Sequence, residues 1–284
     1  MTNQSRVQVE TLVSHLEELW SNLDKLFSGL GPEGWATPHG KDWVYADLPY
    51  HLGYFDREMV AYPLQQGPSM PADEQTSIPT IEAINGWNEE KFAQRPENQT
   101  VEQSLQEMRA NRDIIRQETA KLTDADLGRL CWMPLAGMGW IPAGFILAGC
   151  RQHTWGEFIQ LRLLMGRDTP ASSAPVTNGS LEAYMGLMPW ALNRDAAASA
   201  DFKLVMAFTQ PGVGPWTVHV ANGDCTVSSG ATDQADLTIT QSPESWAKTW
   251  YHLHDPAEAM QSGEIQVSSF EALGTFATLF PPPA

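Results

Sequence analysis

The chain has 284 residues, 42% of them hydrophobic, which is enough for about two domains that each bury a core. The formal net charge of −17 argues against nucleic acid or an anionic membrane surface as a partner, because both are bound by patches of lysine and arginine. No apolar run reaches the roughly 18 residues of a membrane-spanning helix, so we expect no membrane insertion.

The first residues lead directly into an amphipathic helix and lack the apolar region of a signal peptide, which predicts a cytoplasmic protein. Apolar residues then recur at helical spacing as far as residue 166. Helices are predicted over residues 7–30, 47–62, 80–94 and 141–166, with a further long helix that starts at Thr100. The connections at 31–45, 63–79 and 124–142 are predicted to be irregular, because glycine and proline interrupt them. Residues 1–166 therefore indicate an all-α four-helix bundle with long crossovers.

Residues 167–180 have the composition of a linker, and the periodicity changes after them. A helix is predicted over 181–193, and alternating strands follow at 202–209 and 216–220. Asn222-Gly223 predicts a hairpin turn, and Ser242-Pro243 predicts the start of another helix. With further strands at 235–240 and 264–267 and a helix at 269–280, residues 181–284 indicate a second domain of the α+β class with an antiparallel sheet.

Two histidines are predicted to lie on the inward faces of two helices of the first domain. His51 follows Leu48 by three residues, and His153 lies in the middle of the 141–166 helix. Imidazole is the commonest neutral metal ligand, and facing helices of a bundle often supply such ligands. Glu157 lies one turn after His153, so His51, His153 and Glu157 form a candidate metal triad. The alternative is two core histidines with ordinary hydrogen bonds, and a Glu157 that pairs with Arg162.

The three cysteines, Cys131, Cys150 and Cys225, are widely separated and form no Cys-x-x-Cys pattern. They are interpreted as free thiols in a reducing compartment.

Three segments of the chain resemble known families. Trp35-Ala-Thr-Pro, followed by Asp42-Trp43 and the stretch Asp47–Asp56, is similar to the loop and helix that supply the first histidine of DinB-like proteins, in the branch of mycothiol-dependent maleylpyruvate isomerases. The stretch Gly149–His153 resembles the helix that supplies that family's second ligand pair. The C-terminal Gly-Glu-Ile-Gln-Val-Ser-Ser and its closing helix resemble a sterol-carrier-type domain.

The DinB resemblance implies a divalent metal, most often zinc, on three helical ligands, with room for water or a thiolate. Two of these ligands correspond to His51 and His153, and the third corresponds to Gly149, which offers no ligand atom. Two imidazoles alone make a weak metal site. Glu157 or Cys150 would replace the missing ligand only with a shift of most of a helical turn.

Three functional hypotheses follow. The first is a metal-assisted enzyme that uses a low-molecular-weight thiol to isomerise or transfer a small unsaturated or electrophilic substrate, with His51 and His153 as catalytic or metal-binding residues. The second is a metal-independent enzyme in which the two histidines act as acid and base and Gly149 leaves room for a bulkier substrate. Under both, His39, Trp43, Gly149 and Cys150 are candidate pocket residues.

The third hypothesis is a non-catalytic protein that binds an apolar small molecule in the second domain. Trp216, Trp246, Trp250 and Met206 are the candidate lining residues, and the alternative interpretation of these aromatic residues is ordinary core packing. The sequence does not determine the oligomeric state, and a homodimer is one assembly that it allows.

Overall fold

The protein is described by a computed structural model that covers residues 5–39, 43–66, 81–133, 138–166 and 171–281. Two compact units are present, one made of Met1–Thr154 and Leu161–Pro170, the other of Trp155–Gln160 and Ala171–Ala284. No helix in the described ranges has the length and hydropathy that a membrane span requires. The domain limits expected from the sequence, at residues 166 and 180, remain predictions.

The first unit is helical, as predicted. Its helices are α1 (Val7–Gly29), α2 (Pro32–Ala36), α3 (Leu48–Phe55), α4 (Tyr62–Gln66), α5 (Ile81–Ala93), α6 (Val101–Thr119) and α7 (Ala143–Met165), the last of which includes residues 155–160. Two small antiparallel hairpins pair β1 (Pro38–His39) with β2 (Trp43–Val44), and β3 (Leu130–Met133) with β4 (Gly139–Pro142). Short 3₁₀ turns span Tyr45–Asp47 and Asp124–Gly128.

The apolar residues that recur at helical spacing form the core of the first unit. Leu16, Leu19 and Leu23 of α1 are fully buried, as are Met108 of α6 and Leu147 of α7. The Thr100 cap of α6 is confirmed, because its side chain accepts a hydrogen bond from the Gln103 amide. Gly166 ends α7 at a φ of +93°, a conformation that favours glycine, so this predicted stop is also confirmed.

Three predictions for the first unit were wrong. The predicted irregular stretches at 31–45 and 124–142 contain the two hairpins and short helical turns. The second helix does not stop before Pro63 but runs through a π-helical segment, Asp56–Ala61, into α4. In an ordinary α-helix the proline ring would clash with a carbonyl one turn earlier, and the wider π turn before it relieves that clash. The remainder of the predicted 63–79 loop lies outside the described residues, apart from 63–66.

The second unit contains helices around one five-stranded sheet. Its helices are α8 (Ala174–Met185), α9 (Met188–Ala191), α10 (Arg194–Ala197), α11 (Pro243–Trp250), α12 (Pro256–Gln261) and α13 (Phe270–Leu279). Its strands are β5 (Asp201–Phe208), β6 (Trp216–Ala221), β7 (Asp224–Ser229), β8 (Leu237–Gln241) and β9 (Ile265–Val267). The strand order is β7-β6-β5-β8-β9.

The sheet is mixed rather than antiparallel, because β5 and β8 pair in parallel while the other neighbours are antiparallel. Alternating hydrophobicity indicates a strand but not the direction of its partner, which is why the predicted antiparallel sheet was wrong at this pair. Part of the predicted linker is helical as well: α8 begins at Ala174, and residues 167–170 of that segment lie outside the described ranges.

The β6–β7 turn is confirmed at Asn222-Gly223. Both residues have positive φ angles, 53° and 80°, which a type I′ hairpin turn requires at its two central positions.

Replacement of Gly156 by alanine is predicted to destabilise the second unit by about 1–3 kcal/mol. A Cβ at this position would overlap the Tyr251 hydroxyl, and movement of that hydroxyl would break its 2.7 Å hydrogen bond with Tyr184. The measurement is thermal unfolding followed by circular dichroism.

Gly149→Ala is the matched control, because it lies in the same helix and its Cβ would come within 4 Å of no atom that the structure describes outside that helix. Alanine should there be neutral or stabilising, by up to about 1 kcal/mol. Equal destabilisation by the two variants would contradict the steric explanation.

Candidate functional site

Helices α3 and α7 bring the two predicted histidines into direct contact. The Nε2 atoms of His51 and His153 lie 2.9 Å apart, and the ring centroids are separated by 4.9 Å. Leu48 and Leu52, which are fully buried, share the inward side of α3 with His51, itself only 5% exposed. The apolar face that packs α3 into the core therefore also positions the imidazole.

The tautomer of His51 follows from its other hydrogen bond. Its Nδ1 lies 2.6 Å from the Tyr54 hydroxyl, and that hydroxyl donates its single proton to Oδ1 of Asn88 at 2.8 Å. Tyr54 must therefore accept from His51 Nδ1–H. In the neutral ring, Nε2 then carries the lone pair and directs it toward His153. Ligand histidines in metal sites are commonly held in this way, with the second nitrogen donating to a neighbouring group.

Aromatic packing fixes both rings. His153 stacks on Phe55 with a centroid distance of 3.8 Å and an interplanar angle of 10°. His51 packs against Trp43 at 4.9 Å, and Trp43 in turn contacts Phe92 of α5 at 4.4 Å. The two imidazoles are thus held in place from the sides that do not face each other.

Glu157 completes a group of three ligand residues. One ligand atom each from His51, His153 and Glu157 lies within 4.8 Å of the other two. The carboxylate is buried, 7% exposed, and its Oε2 accepts a hydrogen bond from Gln160 Nε2 at 3.3 Å. Two imidazole nitrogens and one carboxylate oxygen are a donor set typical of catalytic zinc, so the residues present fit a divalent metal.

Gly149 and Cys150, which precede His153 by four and three residues, have different surroundings. Among the described residues outside its own helical turn, a Cβ on Gly149 would meet no atom within 4 Å, so space is open beside the histidine where the family resemblance places a ligand. Cys150, a predicted pocket residue, is instead part of the core: its side chain is 1% exposed and its Sγ contacts Asp56 Oδ1 at 3.7 Å. Burial raises the pKa of this thiol well above its ordinary value.

The other two predicted pocket residues lie in the first hairpin. His39 pairs with Trp43 across β1 and β2, and its ring lies 4.7 Å from Tyr45 and 6.4 Å from Trp43. His39 is 8% exposed, so it is a buried hairpin residue rather than an open loop histidine. Trp43 contacts His51 directly, whereas His39 is connected to it through Trp43.

A buried ion pair lies behind the histidines. Asp56, fully buried at the end of α3, accepts a hydrogen bond from Nε of the equally buried Arg112 at 3.3 Å. Burial raises the pKa of Asp56 to about 6, against the opposing influence of Arg112. The pair ties α6 to α3 just beyond the histidine-bearing turn.

Sequence reasoning missed three residues that support the histidines: Tyr54, Phe55 and Asn88. Tyr54 lies three residues after His51 on the same helical face, and a hydrogen bond that supports His51 could have been predicted from this spacing. Phe55 belongs to the apolar stripe of its helix, and nothing in that pattern distinguishes it from core packing. No spacing connects Asn88, in the separate helix α5, with either histidine.

Comparison with known families covers the same part of the chain. A family model described as the DinB superfamily matches residues 15–157, which is half of the chain. The chain belongs to the DinB superfamily. Among solved structures, two of mycothiol-dependent maleylpyruvate isomerase are similar to this DinB protein. One, a histidine-to-alanine mutant, aligns over 92% of both chains with 12% identity and a TM-score of 0.52. The other covers 84% of this chain and 87% of its own, with 11% identity and a TM-score of 0.50.

At these identities the likeness concerns the fold alone. A structure of Sterol Carrier Protein 2 Like 2 from Aedes aegypti matches 37% of this chain and 95% of its own at 17% identity, but its TM-score of 0.30 is too low to support an argument. The sterol-carrier resemblance of the second unit therefore remains a prediction. No curated protein sequence matches the DinB protein.

Asp56 is predicted to make stability depend on pH. Its carboxyl has an ordinary pKa of 3.8 and a folded-state pKa of about 6, so folding takes up a proton between these values. This contribution to the free energy of unfolding is fully present below pH 4 and is lost as the pH rises through 6. The stability advantage of the wild type over Asp56→Asn should therefore shrink by on the order of 1–3 kcal/mol between pH 4 and 7. Urea unfolding at several pH values measures this difference.

Asp113→Asn is the control, since Asp113 is an exposed carboxylate on the same helix as Arg112. Its effect should stay within about 0.5 kcal/mol at all pH values. A pH-independent difference between wild type and Asp56→Asn would contradict the raised pKa.

Proposed function

We propose that the chain is a thiol-dependent, metal-assisted enzyme of isomerase or transferase type that acts on a small unsaturated or electrophilic substrate. The observation that supports this best is the convergence of His51, His153 and Glu157, whose ligand atoms lie within 4.8 Å of one another. The solved structures that share the fold are named as mycothiol-dependent maleylpyruvate isomerases, and this supports the choice of reaction class.

Each residue of the triad has a role in holding the ion. His51 presents its Nε2 lone pair because Tyr54 and Asn88 retain the proton on Nδ1. Phe55 fixes the plane of His153, and Glu157 adds the negative charge that two neutral imidazoles lack. A divalent ion, best matched by zinc, would supply Lewis acidity that lowers the pKa of a bound thiol or water.

The nucleophilic thiol would come from a small cofactor rather than from the protein. All three cysteines lie among the described residues, and burial raises the pKa of each thiol. Cys150 and Cys131 are buried, and the pKa of Cys225 is raised to about 11. A reactive cysteine needs a lowered pKa, so none of these is suited to the task.

Gly149 would admit the substrate or the thiol. Because a Cβ at this position would meet no atom of the described part of the chain within 4 Å beyond its own helix, the turn before His153 offers space that a larger residue would fill. The same opening supports a bulkier substrate than a ligand-bearing residue at this position would allow.

A second candidate is a metal-independent enzyme that uses the histidine pair for proton transfer. With the Nε2 lone pair on His51, the 2.9 Å contact makes His153 Nε2–H the donor. Such a pair can relay a proton between substrate and protein. Carriage of an apolar molecule by the second unit is less well supported: Trp216 and Met206 are 3% and 2% exposed, as core residues are, whereas Trp250 is 44% exposed.

Purified protein is predicted to contain about one zinc per chain, and His51→Ala/His153→Ala is predicted to remove it. Loss of two of three ligands leaves one carboxylate, which cannot retain the ion. Inductively coupled plasma mass spectrometry after dialysis gives the stoichiometry. His219→Ala is the control, because His219 lies on β6 and pairs with Asp201.

Turnover distinguishes the two enzyme candidates. Maleylpyruvate with and without mycothiol is the first probe, and activity that needs both the thiol and the zinc supports the proposal. Thiol-independent turnover by zinc-free protein would favour the proton-transfer enzyme instead. Absence of bound zinc in the wild type, together with no recovery of binding on zinc titration, would rule out the metal-assisted function.

Tyr54→Phe is predicted to weaken zinc binding by about 10–100-fold, because His51 loses the acceptor that fixes its tautomer. The matched control is Tyr50→Phe on the same helix, where the lost hydroxyl donates to the Lys91 carbonyl at 2.8 Å. Competition with a chromophoric chelator measures both affinities. Equal zinc affinities for the two variants would contradict the positioning role of Tyr54.

A further inference from the structure

A second polar region of the first unit is separate from the histidines. A cavity of about 740 Å³ runs along α1 and α6, and Trp20, Arg109, Arg112 and Arg116 are among the residues that line it. None of the three candidate metal ligands lines it. Its volume falls within the range of about 300–1,000 Å³ that is usual for small-molecule sites.

Arg112 and Trp20, the two buried residues that line the cavity, form its floor and have hydrogen-bond donors without acceptors. Arg112 is 1% exposed and Trp20 is 2% exposed. Within the described part of the chain, Nη1 and Nη2 of Arg112 and Nε1 of Trp20 are buried and have no hydrogen-bond partner. A buried donor without an acceptor costs about 1–3 kcal/mol, and more if it is charged. Three such donors in one cavity call for acceptors.

The neighbouring carboxylates do not meet this need. Arg112 uses Nε for Asp56, and a carboxylate oxygen of Asp24 lies 3.9 Å from Nη1, beyond hydrogen-bond distance. Asp24 already accepts from Arg109 at 3.3 Å, and Glu17 binds Arg116 through both of its oxygens. Burial lowers the pKa of Arg112, which reflects how incompletely its charge is compensated.

Four cationic side chains line the cavity, Lys25, Arg109, Arg112 and Arg116, together with three carboxylates, Glu17, Asp24 and Asp113. The guanidinium carbons of Arg112 and Arg116 lie 5.5 Å and 5.0 Å from the centroid of the Trp20 ring. Arg109 and Arg116, whose side chains are 43% and 39% exposed, form the rim together with their carboxylate partners. The planar guanidinium of Arg112, whose Nη1 and Nη2 have no acceptor, can donate two parallel hydrogen bonds to a carboxylate or phosphate group.

We propose that the cavity between α1 and α6 binds a small molecule through an oxyanion, a carboxylate or phosphate group, that accepts hydrogen bonds from Nη1 and Nη2 of Arg112 and from Nε1 of Trp20. This site is distinct from the His51–His153–Glu157 group and does not depend on its function. To reach the floor, the ligand displaces Arg109 and Arg116 from their ion pairs with Asp24 and Glu17.

The test is NMR titration of the ¹⁵N-labelled full chain, in which Trp20→Phe identifies the Trp20 indole N–H signal. Sodium phosphate and sodium succinate are the two probes, each at constant ionic strength against sodium chloride. We expect a saturable shift of the Trp20 N–H signal with at least one of them. The probe that saturates at lower concentration identifies the phosphate or the carboxylate as the ligand group.

Two variants locate the binding. Arg112→Lys keeps the charge but loses the fork, and it should weaken binding by about tenfold or more, monitored at the Trp20 signal. Arg109→Lys is the matched control on the rim of the same helix and should change affinity by less than about threefold. If Arg112→Lys does not fold, Trp20→Phe serves instead, with calorimetry as the readout and a severalfold loss expected.

Two results would overturn the proposal. One is a Trp20 signal that shifts no more with phosphate and succinate than with chloride. The other is saturable binding that Arg112→Lys and Trp20→Phe both leave unchanged, which would place the anion elsewhere.

Discussion

The contact between two imidazole rings, with Nε2 atoms 2.9 Å apart, is the interaction on which the arrangement of the first unit's site depends. A neutral imidazole has one N–H donor and one acceptor nitrogen. The hydrogen bond at Nδ1 of His51 therefore determines whether its Nε2 is the donor or the acceptor toward His153. The hydrogen bonds of Tyr54 with His51 and Asn88 keep the proton on Nδ1 of His51. Packing against Phe55 and Trp43 prevents either imidazole from rotating away. The site is therefore specified as much by its supporting residues as by the histidines.

The same core contains a buried ion pair, whose desolvation has a free-energy cost. Asp56 and Arg112 are both buried, and an ion pair in such a place compensates only part of its desolvation. Asp56 also begins the π-helical segment that carries the chain past Pro63. Features of this kind, a buried charge and a widened helical turn, concentrate at functional regions of proteins. Here they join the histidine-bearing helix to the helix that lines the α1–α6 cavity.

Periodicity was sufficient to predict the principal helices and to place His51 and His153 inward, because one apolar face both packs the helix and orients the imidazole. It failed where composition is ambiguous: the glycine- and proline-rich stretch at 124–142 folds into a hairpin, since the same residues suit a turn and a loop. The partner of a strand and the role of Asn88 depend on contacts between distant segments. Single-sequence patterns do not record such contacts.

The position of Glu157 has a consequence for how relatives of this chain are recognised. Residues four before and four after His153 both lie along one stripe of α7, on opposite sides of the histidine. Gly149 occupies the earlier position and Glu157 the later one, and Glu157 is the residue whose ligand atom lies near those of His51 and His153. A search pattern that requires a ligand four residues before the histidine would miss this carboxylate, whereas a pattern that also allows the position four residues after it would find it.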